Sequence, residues 1–288
     1  MIDQLLICTD LDRTLIPNGN HPESSHARPC FTQLVSHEKV TLAYVTGRDQ
    51  KLVKQAIIDY QLPLPNFVIA DVGASIYQIS HQQWLRIEAW DQKISGDWQD
   101  KSYDDLIPIF ADLKQCHLQE KEKQSLHKLS YYVALTADID KLISEIRSRL
   151  ENQQIRSNLI WSIDEEKNVG LLDILPQSAN KYQAIAYVME HHNFTLENTV
   201  FSGDSGNDLD VLISPIKSIL VANAHGEVKD KVKSKIAQTN LTNSVYIAQG
   251  GYLTMNGNYS SGILEGIAHY FPNFAPLNQE IINQITKE

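Results

Sequence analysis

Residues 5–15 read Leu-Leu-Ile-Cys-Thr-Asp-Leu-Asp-Arg-Thr-Leu, an apolar run of strand length that delivers two carboxylates, Asp10 and Asp12, into a turn. In an open α/β sheet the place where such a strand runs out is the carboxyl edge, where ligands bind. Two acids two residues apart share a side of the chain and repel each other. The turn therefore requires either a cation or a proton held by one of the pair. A hard ion bound through oxygen, such as Mg²⁺, meets the first requirement, and a carboxyl poised as a general acid meets the second.

Further apolar runs follow the same plan. Val40-Thr41-Leu42-Ala43-Tyr44-Val45 stops at Thr46-Gly47-Arg48, and Asp49 is placed to cap the helix that follows. A strand, a Thr-Gly loop and a helix start together present backbone N–H groups and a hydroxyl to a phosphate. Phe67-Val68-Ile69-Ala70 reads as a third buried strand, and Gly73-Ala74-Ser75-Ile76-Tyr77 as the start of a hairpin. Thr199-Val200-Phe201-Ser202 ends in Gly203-Asp204-Ser205-Gly206-Asn207-Asp208, where two glycines are expected to let the backbone turn tightly around a ligand and three oxygen-bearing side chains fall within six residues. Residues 219–222 and 245–248 are later strands of the same type, each followed by a helical pattern.

From about residue 80 the texture changes. Charged helical stretches alternate with strands, residues 128–133 alternate with period two, and residues 138–151 form an amphipathic helix with Ile139, Leu142, Ile143, Ile146 and Leu150 on its stripe. Lys128, Ser130 and Tyr132 share one polar strand face, while Leu129, Tyr131 and Val133 pack on the other. Residues 159–163 and 171–175 are two strands around a charged turn. Asn180 then caps a helix whose first turn holds Lys181, against the helix dipole, which suggests a use beyond helix stability. The expected architecture is α/β: a doubly wound parallel sheet from residues 1–79 and 176–288, with a smaller α/β insertion over residues 80–175.

The chain carries a net charge of −10 over 288 residues, which argues against nucleic acid or an anionic membrane as partner. An anionic substrate must then be drawn in by local donors and a cation. Cys8, Cys30 and Cys116 are odd in number and show no CxxC spacing, so neither a disulfide framework nor a zinc site is expected. No signal-like opening is visible and Asp10 interrupts the first apolar run, making a cytoplasmic location the expectation.

Asp-Leu-Asp-Arg-Thr, the Thr after the second strand, Lys181 at a helix start, and Gly-Asp-Ser-Gly-Asn-Asp stand in the order of the four motifs of the haloacid dehalogenase superfamily of phosphatases, which the chain resembles up to about residue 271. The resemblance implies a Mg²⁺-dependent phosphatase with a cap domain inserted after the second motif. It implies Asp10 as nucleophile and Asp12 as acid/base, with a pKa tuned near the working pH. The metal would be held by Asp10, the Asp12 carbonyl and Asp204, with Asp208 behind them accepting from a bound water. Thr46, Gly47, Lys181 and Asn207 would hold the phosphoryl oxygens.

Within the superfamily the loops at 46–48 and 71–77, the stretches at 128–131 and 172–176 and the segment 262–270 resemble sucrose-phosphate phosphatases. That narrower likeness implies sucrose 6-phosphate as substrate and Arg48, Gly73, Lys128, Ser130 and Asp173 as substrate-binding residues. Arg13 departs from the expected pattern, in which a smaller or uncharged residue follows the second Asp. Alternatives are a phosphatase of another glycosylated sugar phosphate, of the mannosylfructose phosphate type, or a broad phosphatase of small metabolites. From another class comes an inactive sugar-phosphate-binding partner of a synthase, although no motif residue is missing. A nucleotide-binding Rossmann protein is disfavoured, since no GxGxxG follows any strand.

Overall fold

The structure is a computed structural model that describes residues 4–164, 167–239, 241 and 244–274. Twelve strands form two sheets among these residues: β1 Leu5–Thr9, β2 Val40–Val45, β3 Phe67–Ala70, β4 Ser75–Ser80, β5 Gln83–Arg86, β6 Cys116–Leu118, β7 Leu129–Val133, β8 Ser157–Asp164, β9 Val169–Pro176, β10 Thr199–Gly203, β11 Lys217–Leu220 and β12 Val245–Ile247.

The larger sheet runs β12-β11-β10-β1-β2-β3-β4-β5. It is parallel from β12 to β3 and closes with two antiparallel strands. β1 lies at its centre and is fully buried because its residues alternate between two cores. Leu5 and Ile7 pack with Phe31 and Leu264 on one face, and Leu6 and Cys8 with Ala184 and Val188 on the other. The helices Ala27–Val35 and Ser260–Tyr270 contribute to the first face, and Lys181–His191 to the second. The chain leaves β1 toward β2 and later returns to β10 on the opposite side, so the order reverses between β1 and β10, where a doubly wound sheet opens a ligand crevice.

The smaller sheet is antiparallel, ordered β6-β7-β9-β8. The helices Tyr103–Phe110 and Ile139–Asn152 pack on one of its faces around Trp98, Leu129, Tyr131 and Val133. The boundary expected at residue 80 falls inside a hairpin of the larger sheet, because β5 pairs with β4 there. Helix Glu88–Ser95 also belongs to the larger body: Trp90 and Ile94 are buried in its core, and the Trp90 indole donates to the Gly73 carbonyl at 2.9 Å. The first residue of the smaller core is Trp98. Among the described residues no helix is long and apolar enough to cross a membrane.

Candidate active site

The carboxyl ends of β1, β2 and β10 bring the motifs together. Asp10 follows β1, Thr46 follows β2 and Asp204 follows β10, and the helix bearing Lys181 points its start at the same place. Asp10 is fixed by its own backbone N–H, which donates to the Ser202 carbonyl at 2.9 Å. Helix placement fixes Lys181: Asn180 caps the helix, accepting from the Gln183 N–H, and Gly73 packs against the Asn180 backbone. A Cβ at residue 73 would come within 2.5 Å of the Asn180 carbonyl group, and its φ of +102° already favours glycine. Expected as a substrate contact, Gly73 thus has a packing role in seating the lysine helix.

Lys181 is 1% exposed and its ammonium donates to Asp10 Oδ1 at 3.0 Å, Asn207 Oδ1 at 3.2 Å and Asp208 Oδ1 at 2.6 Å. Such a buried cation persists because two carboxylates surround it, and despite burial they hold its pKa above the ordinary lysine value. Asp208 is a strut: its Oδ2 accepts from the backbone N–H groups of Asp204 and Ser205, both at 3.0 Å. This contact explains Gly203, where a Cβ would lie 2.6 Å from the Asp208 carboxylate. Gly206 faces open space and neither glycine has a positive φ, so the expectation of two conformationally demanding glycines holds for neither, and only Gly203 is sterically required.

Asp204 is 2% exposed; its Oδ1 accepts from the Thr14 hydroxyl at 3.2 Å and its Oδ2 lies 3.4 Å from Arg13 Nε. One carboxylate oxygen from each of Asp10, Asp204 and Asp208 lies within 4.8 Å of the others. Burial first, and then the Asp208 charge, pushes the Asp204 carboxyl up to about 7, against the opposing pull of Arg13 and Lys181. Burial likewise raises Asp10; Lys181 pulls it down, while Asp208, Asp204 and Asp12 push it up. An all-oxygen donor set with more negative charge than its neighbours neutralise fits a hard divalent cation such as Mg²⁺.

Asp12 differs from the expectation. Arg48 grips it in a two-pronged ion pair, Nε to Oδ2 at 2.8 Å and Nη2 to Oδ1 at 2.6 Å, and Asn18 adds a hydrogen bond at 2.7 Å. Burial raises this carboxyl, but the bonds and charge of Arg48 outweigh it and hold the pKa below the ordinary value, away from neutral pH. Arg48 also ties in Thr46, whose hydroxyl accepts from the Arg48 N–H at 3.2 Å.

Lys128, Ser130 and Asp173 form a second group on the smaller sheet, where β7 pairs with β9. The Ser130 hydroxyl donates to Asp173 Oδ1 at 2.5 Å. Lys128 is 6% exposed, with its ammonium 4.0 Å from Asp173 and 3.7 Å from Asp71, across on the larger body. Lys128 is therefore buried facing Asp71 and Ser130 is buried beside Asp173, while Tyr132 turns its hydroxyl to Glu120. Leu129, Tyr131 and Val133 fill the core on the opposite face, as the alternation requires.

Asp71 begins the 71–77 loop that carries the resemblance, but it is not among the substrate-binding residues expected from sequence. It opens a loop in which residues 71, 72 and 73 all have positive φ, a costly run for Asp and Val. Its Oδ2 accepts from Ser75 at 2.8 Å, whereas its buried Oδ1 lacks a hydrogen-bond partner. The available signal was Asp-Val-Gly directly after a buried strand. Thr14, which steadies Asp204, was legible only as part of its motif.

Fold and site together define a phosphoric monoester hydrolase of the haloacid dehalogenase type. The family model for sucrose-6F-phosphate phosphohydrolase matches residues 3–271, and the chain belongs to that family. A protein of Nitrosococcus oceani named as a HAD-like hydrolase is 47% identical over 272 residues, covering 94% of this chain and 73% of that protein. Sucrose-phosphatase 1 of Nicotiana tabacum is 28% identical over 230 residues, 78% of this chain and 52% of its own length. The chain thus spans about half the length of the plant sucrose-phosphatases it matches. The sucrose-phosphatase of Synechocystis sp., solved with sucrose and phosphate, shares the fold with a TM-score of 0.71 at 24% identity, over 93% of this chain and 98% of that one.

Proposed function

We propose that this chain hydrolyses sucrose 6-phosphate to sucrose and phosphate through an aspartyl-phosphate on Asp10. The observation that carries the phosphatase chemistry is the buried Lys181 ammonium, held between Asp10, Asn207 and Asp208 at the ends of β1 and β10. An Asp10 oxygen attacks phosphorus, the bond from phosphorus to the sugar oxygen breaks, and Asp12 gives that oxygen a proton. Asp12 then takes a proton from a water, whose oxygen attacks the aspartyl-phosphate; phosphate leaves and the Asp10 carboxylate is restored. Lys181, Asn207, the Thr46 hydroxyl and the Gly47 N–H hold the phosphoryl oxygens as charge shifts among them. Mg²⁺, held by Asp10, the Asp12 carbonyl and Asp204 with Asp208 behind, would offset the repulsion between carboxylate and phosphate.

Asp12 is paired with Arg48, which favours its ionised form. In this reading Arg48 turns to substrate oxygens, and burial then raises the freed carboxyl toward the range a proton donor needs.

The sugar reading rests on the gap between the sheets. There a buried ammonium and a carboxylate oxygen with no hydrogen-bond partner face each other beside Ser130 and Asp173. Hydroxyl groups donate and accept together, so a polyol satisfies both sides at once. Lys128, Asp71, Ser130 and Asp173 would hold the sugar, the smaller sheet serving as cap. Association with the synthase that makes the ester, and action in the cytoplasm, belong to the same reading and are supported by resemblance alone.

Phosphate release from sucrose 6-phosphate, glucose 6-phosphate and fructose 6-phosphate, with and without EDTA, tests this. The disaccharide ester should be strongly preferred and EDTA should abolish turnover. Equal rates on all three would overturn the substrate, and activity in EDTA would overturn the metal.

A further inference from the structure

The carboxylates at the site, Asp10, Asp12, Asp204 and Asp208, are met by three cations among the described residues: Lys181, Arg48 and Arg13. Lys181 and Arg48 have roles in the reaction, but Arg13 touches none of the groups that carry it out except Asp204, at 3.4 Å.

Its placement is built rather than incidental. Arg13 has a φ of +57°, and that conformation is clamped from both sides. Its N–H donates to Asn18 Oδ1 at 2.8 Å and its carbonyl accepts from Asn223 Nδ2 at 2.6 Å. Asn223 is in turn anchored by the Tyr259 N–H, which donates to its Oδ1 at 2.8 Å. Tyr259 is itself strained, with φ 51° and ψ −133°, and its hydroxyl bonds to the His21 backbone N–H and carbonyl at 3.2 and 3.1 Å. Two left-handed residues and a bridging amide thus hold the loop that aims the guanidinium at Asp204. The arginine side chain is 43% exposed and the aspartate side chain 3%, so the pair has one buried end and one end free to swing away.

We propose that Arg13 is a built-in counter-ion of Asp204 that a divalent cation must displace, so that this residue sets the cation affinity of the site. The proposal rests on the reading of Asp204 as a metal ligand. A divalent ion would meet Asp10, the Asp12 carbonyl and Asp204 together, whereas Arg13 meets Asp204 alone, so displacement is favourable but lowers the affinity. A half-exposed pair of this kind is worth about two- to fivefold in an equilibrium constant.

The test is calorimetric titration of the metal-free full chain with MgCl2, independent of turnover. Arg13→Gln should bind Mg²⁺ about two- to fivefold more tightly than the parent, and Arg13→Lys should fall near the parent. Asp204→Asn should bind weakly, and adding Arg13→Gln to it should bring no further gain, since the pair is already broken. Circular dichroism checks that each variant is folded. Equal or weaker binding by Arg13→Gln, beside a parent that binds, would overturn this proposal and leave the metal reading standing. A parent that binds no Mg²⁺ would overturn the metal reading and this proposal with it.

Discussion

Replacing Lys181 with Met keeps most of the side-chain volume and removes only the charge that holds Asp10 and Asp208 together. The lysine makes bonds of 3.0, 3.2 and 2.6 Å to Asp10, Asn207 and Asp208 and is 1% exposed, so water cannot take its place without rearrangement. Removing one partner from a buried ion pair costs about 3–5 kcal/mol because the other is left uncompensated. That cost has a ceiling set by protonation. The Lys181 ammonium is held above its ordinary pKa, so its own contribution is fully present throughout the acidic and neutral range and is lost only in strong alkali. The acids behave otherwise. Burial and mutual repulsion already raise Asp10 and Asp204, and the variant raises them further. Between their ordinary value of 3.8 and the raised values, the folded chain then binds more protons than the unfolded chain, so its stability falls as pH rises. Urea denaturation in EDTA should show the full deficit at about pH 8 and a clearly smaller one at about pH 5. A deficit below about 1 kcal/mol at the higher pH, or one that pH does not change, would refute the argument.

Asp10→Asn should keep the fold and lower phosphate release from sucrose 6-phosphate at least about a thousandfold; a loss of only a few-fold would point to another nucleophile. Lys128→Ala should raise KM for the disaccharide ester about tenfold or more while kcat changes less, and a kcat effect alone would contradict its role in holding sugar. Gly73→Ala should destabilise the chain by about 2 kcal/mol or more, since it combines a φ of +102° with a 2.5 Å clash against Asn180; an unchanged thermal midpoint would show that the lysine helix is not seated there. Asp204, with its carboxyl near 7, should make Mg²⁺ affinity climb as pH rises through that region and level off above it, because protons compete for the same oxygens. Titrations giving one affinity across the range would contradict that assignment.

The amino-acid sequence by itself determined most of the strands, though not the short β5 and β6, and which strand ends carry chemistry. Asp10, Thr46, Lys181 and Asp204 were legible because each sits at the junction of a buried apolar run or capped helix with polar residues, and such a junction is a local pattern. The alternation at 128–133 likewise sorted Leu129, Tyr131 and Val133 into the core. The edge hairpin was misplaced because β5 is short and half-exposed, so its pattern resembles the insertion more than the sheet it joins. Tertiary structure alone decided how charges are paired. Asp12 meets Arg48 across 36 residues, Lys181 meets Asp10 across 171, and Asp71 meets Lys128 across two sheets. No local periodicity encodes those meetings. They depend on where a doubly wound sheet reverses its order, and on left-handed turns at residues 13 and 71–73 that aim side chains in directions no strand or helix repeat specifies.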